Sequence, residues 1–430
     1  MNNQDYVIFR NSKIFIKNKI LDLDNKQLKN LDEVEGIELL SNLETLLLYD
    51  NHLRTLPEWI SKLDSLKSLY LIKNLIDDLP DSLGELKNLE ELWLSSNKLH
   101  KIPRCISHLQ SLRLLDLGDN KIIRNFGILG TLTSLKLLSL AVCGLNKIPS
   151  SIRKLINLEE LYLGGNKLTD IPIFFDSLQS LQILNIGGND FKILPKPITS
   201  LPLLRNLNVQ DSHMIKLPES IGNLRSLEEL WLFNNLLITI PKSIGSLSSL
   251  KRLQLNHNSL TSVPEAICNL ESLEFLWIQG NNLTTLPESI SNLKNLKELD
   301  LGSNQLKTIP KSILDLKSLE SLNLQSNPLV SNQDFRIKSI IKRLKDNNVI
   351  VMEGYENITE KELMSRHGIT EKNVIDTLTT DWQKISSLIF KLKIKEMMGA
   401  RHLQMLLHEL VRKGKVEEKI IRSKKHWRLK

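Results

Sequence analysis

Apolar and polar positions along most of the chain repeat as one unit. Aliphatic residues hold its first, fourth, sixth and eleventh positions and asparagine its ninth, as in "LEELWLFNNLL" from Leu227. The unit starts at Leu43, Leu66, Leu89, Leu112, Leu135, Leu158, Leu181, Leu204, Leu227, Leu250, Leu273, Leu296 and Leu319, thirteen copies at one constant spacing without an insertion. Alternation around the fourth and sixth positions predicts a short strand, because successive strand side chains point to opposite faces. In the copy at 227, Leu230 and Leu232 then face inward, and Glu229, Trp231 and Phe233 face outward. Farther on, Ile240, Ile244 and Leu247 lie four and three residues apart, which predicts one apolar edge on a helical turn. A single coil cannot bury its leucines alone, so the copies predict a solenoid whose coils bury one another.

Two further positions are nearly constant. The ninth is Asn51, Asn74, Asn97, Asn120, Asn166, Asn189, Asn235, Asn258, Asn281, Asn304 and Asn327, with Cys143 and Ser212 as the exceptions. A buried amide there is expected to satisfy backbone groups of neighbouring coils. Proline follows the first linker aliphatic in eleven of twelve linkers, from Pro57 to Pro310, and fixes φ where the chain leaves the strand layer. Phe126 replaces it in "IIRNFGILGTL", which marks the expected irregularity of the convex side. Solenoid ends need caps. Residues 1–42 read as a hairpin leading into an atypical first coil, and 330–353 as an amphipathic helix and a strand, with Ile337, Ile340, Ile341 and Leu344 over the last of the coils in 43–329.

With linkers such as "LPESIGNLRSL" from Leu217, the array resembles the leucine-rich repeat family. It looks most like the intracellular 23-residue class of Ras-suppressor-like and Scribble-like proteins. That resemblance implies an α/β solenoid bent into a horseshoe, with a parallel sheet on the concave surface and partners bound there. The outward strand positions carry two aromatic groups: Tyr49, Tyr70 and Trp93, then Trp231, Phe233, Phe275 and Trp277, with Tyr162 between them. Strands about 4.8 Å apart would gather the second group into an apolar patch larger than a monomer leaves idle. Partner binding is one reading of these rings, and mutual stacking for stability is the other. Acidic residues, among them Glu91, Asp116, Glu229 and Asp300, outnumber Lys73 and Arg252 on this face, which suits a cationic protein and argues against nucleic acid there. Gly164, Gly165, Gly187 and Gly188 would either bare the sheet floor or ease a turn.

Charge divides the chain. Residues 331–430 carry a net +9 and residues 1–330 a net −1, so any DNA or acidic-surface contact belongs to the last hundred residues. After a linker at 354–370, residues 371–430 read as three helices, then strand, basic turn and strand, an order that looks like a small α+β winged helix-turn-helix domain. Such domains place the third helix in the DNA major groove and the wing on phosphate. The matching candidates are Lys395, Arg401, Gln404, His408 and Arg412, with Arg422, Lys424 and Lys425 in the wing. Protein contact and a solvated basic tail remain open alternatives, as does docking of this tail into the acidic concavity.

Other function classes lack their motifs. No P-loop, kinase motif set, HExxH or nucleophile elbow occurs, so no enzyme, cofactor or metal is expected. Cys105, Cys143 and Cys268 are too dispersed for a disulfide framework. No run of about 18 apolar residues predicts a membrane span. "MNNQDYVIFRNSKIFIKNK" lacks a secretory apolar core, so a cytoplasmic setting is expected. The sequence leaves oligomeric state open. The expectation is a non-enzymatic scaffold that binds a protein on the concave face, with a DNA-associated regulator as the alternative.

Overall fold

Each copy of the repeat forms one coil, and its three-residue strand pairs in register with the strands on either side. The computed structural model describes residues 6–331 and 334–353, together with three short strands in the remainder. Residues 1–351 and 352–430 form two separate compact units. In the first unit a 15-stranded sheet runs from Ile20–Asp22, through Thr45–Leu47 and the later repeat strands, to Ser321–Asn323 and Ile350–Met352. The repeat strands are parallel, and each repeat moves the chain one strand along: Leu230 faces Leu253, which faces Leu276. Their fourth- and sixth-position leucines are buried throughout, in one continuous core.

The convex linkers are 3₁₀ turns of mostly five residues, such as Glu219–Asn223 and Lys242–Ser246. Proline is the residue before eleven of these turns, at φ between −57° for Pro103 and −74° for Pro218. The expected irregularity is present. Phe126–Thr131 is six residues long, and Asn125 precedes it at φ 67°.

The asparagines stitch one coil to the next. Asn258 donates through Nδ2 to the carbonyls of Leu232 in the preceding coil (3.0 Å) and Leu255 in its own (2.9 Å), and its Oδ1 accepts from Leu237 N at 3.0 Å. Cys143 Sγ keeps part of this pattern, lying 3.3 Å from Leu117 O, and Ser212 Oγ donates to Gln210 O at 3.0 Å. Both substitutions are structural. Burial pushes the Cys143 thiol up to about 11 and the Cys105 thiol up to about 12, which keeps both protonated and unreactive near neutral pH.

A hairpin and a helix close the two ends of the array. Tyr6–Phe9 and Ser12–Phe15 form an antiparallel hairpin that puts Val7 and Phe9 into the core. The strand Ile20–Asp22 already belongs to the long sheet, with Leu21 opposite Leu46 across a step slightly longer than the repeat. At the other end, helix Phe335–Asp346 is capped by Asp334 and buries Ile337, Ile341 and Leu344, with Ile340 partly buried beside them. In the second unit, Val416–Ile421 and Lys424–Leu429 pair antiparallel, and Gln383–Lys384 adds a third strand that the sequence did not signal. The expected helices and the linker at 354–370 lie outside the described residues.

The eighth position of every repeat is left-handed. Asp50, Lys73, Ser96, Asp119, Val142, Asp211, Asn234, His257, Ser303 and Ser326 all have φ between 50° and 61° there, and Gly165, Gly188 and Gly280 complete the row. This conformation turns the chain from the strand toward the ninth-position asparagine. Val142 is the one β-branched residue in the row, at φ 56° and 54% exposed. A branched Cβ is poorly tolerated in this region, whereas asparagine accepts it. Val142→Asn is therefore expected to stabilise the chain by about 0.5–1.5 kcal/mol, read as a higher urea midpoint.

Candidate protein-interaction face

The outward strand positions line one face of the sheet, and in-register pairing brings equivalent residues of successive repeats side by side. Tyr70 lies opposite Trp93, with ring centroids 5.7 Å apart and planes within 10°. Both rings donate to one oxygen of Glu91, Tyr70 OH at 3.0 Å and Trp93 Nε1 at 3.3 Å. Burial and the Glu91 charge push the Tyr70 phenol up to about 12, so it remains a proton donor. Tyr49, one coil earlier, has Lys73 Nζ 5.4 Å from its ring centroid, and Lys73 pairs with Asp50 at 2.6 Å. In the middle of the face the Tyr162 hydroxyl donates to Glu160 at 2.7 Å.

The second aromatic group is more tightly built. Arg252 pairs with Glu229 at 2.7 Å and lies 5.0 Å from the Phe275 ring centroid. Phe275 and Trp277 are 5.6 Å apart and tilted by 37°, and Trp277 Nε1 donates to Glu298 at 2.8 Å. Trp231 stands between Asn208 and Gln254 on the adjacent strands and is half-buried. Its indole N–H is covered yet has no hydrogen-bond partner.

Three expected contact residues are not open to solvent. Phe233 is 5% exposed, Trp277 5% and Asp300 6%. They lie outside the leucine core, as alternation requires, but neighbours only one strand spacing away cover them. The apolar patch is correspondingly smaller than counting outward rings implies. Asp300 is also tied down: its Oδ1 accepts from Gly302 N at 3.0 Å and from Asn323 Nδ2 at 2.9 Å. Asp116 does the same to Gly118 N at 3.0 Å, and Asn185, Asn208 and Asn323 repeat the bond in their own coils. A carboxylate or amide at the fifth position thus closes its own strand end.

The glycine floor is not bare either. A Cβ on Gly164 would meet Asn185 Oδ1 at 3.0 Å, and one on Gly187 would meet Gln210 Cγ at 2.8 Å, so side chains of the next coil fill that space.

Sequence reasoning missed a charge ladder at the second position. It reads Glu44, Lys67, Glu90, Arg113, Lys136, Glu159, Gln182, Arg205, Glu228, Lys251, Glu274, Lys297, Glu320, and a scan at the repeat spacing exposes it. Lys67 and Lys19 both pair with Glu44, Lys136 with Glu159 (2.7 Å), Lys251 with Glu228 (2.7 Å) and Lys297 with Glu274 (2.6 Å). Each such exposed pair contributes at most about 1 kcal/mol. Six acids face six bases, so this row does not add to the acidic field of the face. The uncharged rung at Gln182 borders a cavity of about 260 Å³ lined by Leu203, Arg205, Ser226, Glu228 and Ser249.

Of the DNA candidates, Lys424 and Lys425 lie in a strand, and Lys395, Arg401, Gln404, His408, Arg412 and Arg422 lie outside the described residues. Among the described residues no group of His, Cys, Asp and Glu could hold a metal, and no helix is long and apolar enough to cross a membrane.

Comparison with known proteins agrees with this geometry. The chain matches the leucine-rich repeat region over residues 9–150, 148–239 and 239–361, and it belongs to the leucine-rich repeat family. Among solved structures it is similar to a leucine-rich repeat protein of Leptospira interrogans, at 34% identity and a TM-score of 0.66, over 77% of this chain and 94% of that one. An internalin, InlF of Listeria monocytogenes, shares the fold at 21% identity and a TM-score of 0.59, over 81% and 91% of the two chains. A plant peptide hormone receptor, RGFR1 in complex with RGF2, aligns at 28% identity and a TM-score of 0.50, over 72% of this chain and 59% of that one. Matches extend to 493 chains of solved structures, so the fold by itself does not select a partner. No curated protein matches the chain. Proteins of this family are general protein-interaction scaffolds.

The buried carboxylate makes a pH test. Burial raises Asp300 to about 6 from its usual 3.8, so the folded chain holds a proton that the unfolded chain releases between about pH 4 and 6. The contribution of this group to stability therefore rises as pH falls through that window, and its ionisation costs stability above it. Asp300→Asn keeps the acceptor for Gly302 without the charge. It is expected to stabilise the chain by roughly 1–3 kcal/mol at pH 8 and by little at pH 4, measured as the shift in urea midpoint at each pH.

Proposed function

We propose that the chain is a non-enzymatic scaffold that recognises a protein partner on its concave face, with Trp231 at the centre of the contact. The carrying observation is the unpaired indole N–H. Tyr70, Trp93, Tyr162 and Trp277 each donate to a carboxylate of the same face, and Trp231 alone among these rings has no acceptor. A covered donor without a partner costs about 1–3 kcal/mol. Rotation of the half-buried ring toward the concavity would present the N–H to a backbone carbonyl of the partner, with the amides of Asn208 and Gln254 on either side. Tryptophan is also the side chain most enriched at the energetic centres of protein interfaces. The plant receptor solved in complex with RGF2 supports a polypeptide as the class of ligand. Three dispersed, buried thiols suit a cytoplasmic setting for this scaffold.

Affinity capture from the native cell tests the reading. Trp231→Ala is expected to reduce recovery of the specific partner at least about tenfold, since truncating an interface anchor costs about 2 kcal/mol or more, while thermal unfolding changes little. Undiminished capture by the folded variant would overturn it. Trp277 is a poor choice for this test because it is buried and its removal would leave a cavity.

A second reading, DNA contact by the basic C-terminal unit, is favoured by the antiparallel hairpin Val416–Ile421 and Lys424–Leu429. It predicts that the full chain binds a DNA duplex with an affinity that falls steeply between about 50 and 200 mM salt, and that Lys424→Glu with Lys425→Glu weakens it. Absence of binding at low salt would remove this reading.

A further inference from the structure

The concave face twice places a cation of its own over an aromatic ring beside a carboxylate. Arg252 lies 5.0 Å from the Phe275 ring centroid and pairs with Glu229, and Lys73 lies 5.4 Å from that of Tyr49 and pairs with Asp50. The Tyr70–Trp93 stack has the other two parts of this arrangement and lacks the third. Its two rings are parallel within 10°, and Glu91 accepts from both through the same oxygen, Oε2. Among the described residues Glu91 forms no ion pair, and no cationic side chain lies over either ring. Lys73, in the same coil as Tyr70, is held by Asp50. Tyr70, Glu91 and Trp93 are all half-buried, so part of the stack and of the carboxylate reaches solvent.

We propose that Tyr70, Trp93 and Glu91 form a receptor for an arginine side chain of the partner, which lies over the stacked rings and pairs with Glu91. A guanidinium fits better than an ammonium. It is planar, stacks on aromatic faces, and presents a fork of donors to a carboxylate. The same chain shows the match with its own Arg252, Phe275 and Glu229. Because Glu91 is already fixed by two donors, the site is organised before the ligand arrives, and little side-chain freedom is lost on binding. The inference rests on the concave face being the recognition face, and it names one chemical feature of what binds there.

The test uses the full chain and a short probe, Ac-Gly-Arg-Gly-NH₂, against its neutral citrulline counterpart. The six tryptophans give separate indole N–H resonances, and Trp93→Phe identifies the one that reports this site. The Trp93 resonance is expected to shift saturably with the arginine peptide, at least about tenfold more weakly with citrulline, and not at all in Glu91→Gln. Glutamine keeps an acceptor for Tyr70 and Trp93, so that variant should melt as the parent does. Equal response to citrulline, an unchanged response in Glu91→Gln, or no saturable shift would each overturn the proposal. Its failure is separable from that of the scaffold reading. Loss of capture in Trp231→Ala with no Trp93 response removes only this site, and a Trp93 response with undiminished capture overturns the Trp231-centred reading while leaving this arginine site standing.

Discussion

The structure depends on what happens to backbone polar groups when one coil is pressed against the next. Short strands and tight turns leave carbonyls and amides in the interior, where water cannot reach them. The ninth-position asparagine resolves this with one side chain. Asn189, for example, donates to Leu163 O across the gap and to Ile186 O in its own coil, and accepts from Leu168 N. The bond couples coils as well as satisfying each one, so the leucine core and the polar ladder enforce the same register. The left-handed eighth residue follows from it, because the chain must turn sharply to point that amide inward.

What partners meet is set by the same constraint. Side chains at the third and fifth positions stand only one strand spacing from their equivalents on either side, so they interact with each other before they interact with anything else. Carboxylates are used on tyrosine hydroxyls, indole N–H groups and strand-end amides. These internal contacts leave the Trp231 N–H without an acceptor, and Glu91 accepts from its two rings without forming an ion pair among the described residues.

Much of this was legible in the residues. A strict period with alternation inside it specifies strand, turn and inward face, and the proline rhythm placed even the Phe126 irregularity. Ile337, Ile341 and Leu344, four and three residues apart, are the buried face of helix Phe335–Asp346. Alternation told correctly that Trp277 and Phe233 lie outside the leucine core. It could not tell that they would be covered, because exposure on a sheet face depends on side chains one and two repeats away. The charge ladder was overlooked for a different reason. Each member is unremarkable inside its own coil, and meaning appears only when coils are aligned. Gly164 and Gly187 were half-read in the same way, since the amides that fill the space above them belong to the next coil.

From Arg205 to Glu320 the ladder alternates without a break, one sign per coil. This stretch therefore has a parity. Excising or duplicating one coil there would set two like charges about one strand spacing apart, whereas a change of two coils would leave every rung facing its opposite. Growth or shortening of this part of the array is electrostatically easier in pairs, which gives a family of identical-looking coils an even-numbered preference that the leucines alone would never impose.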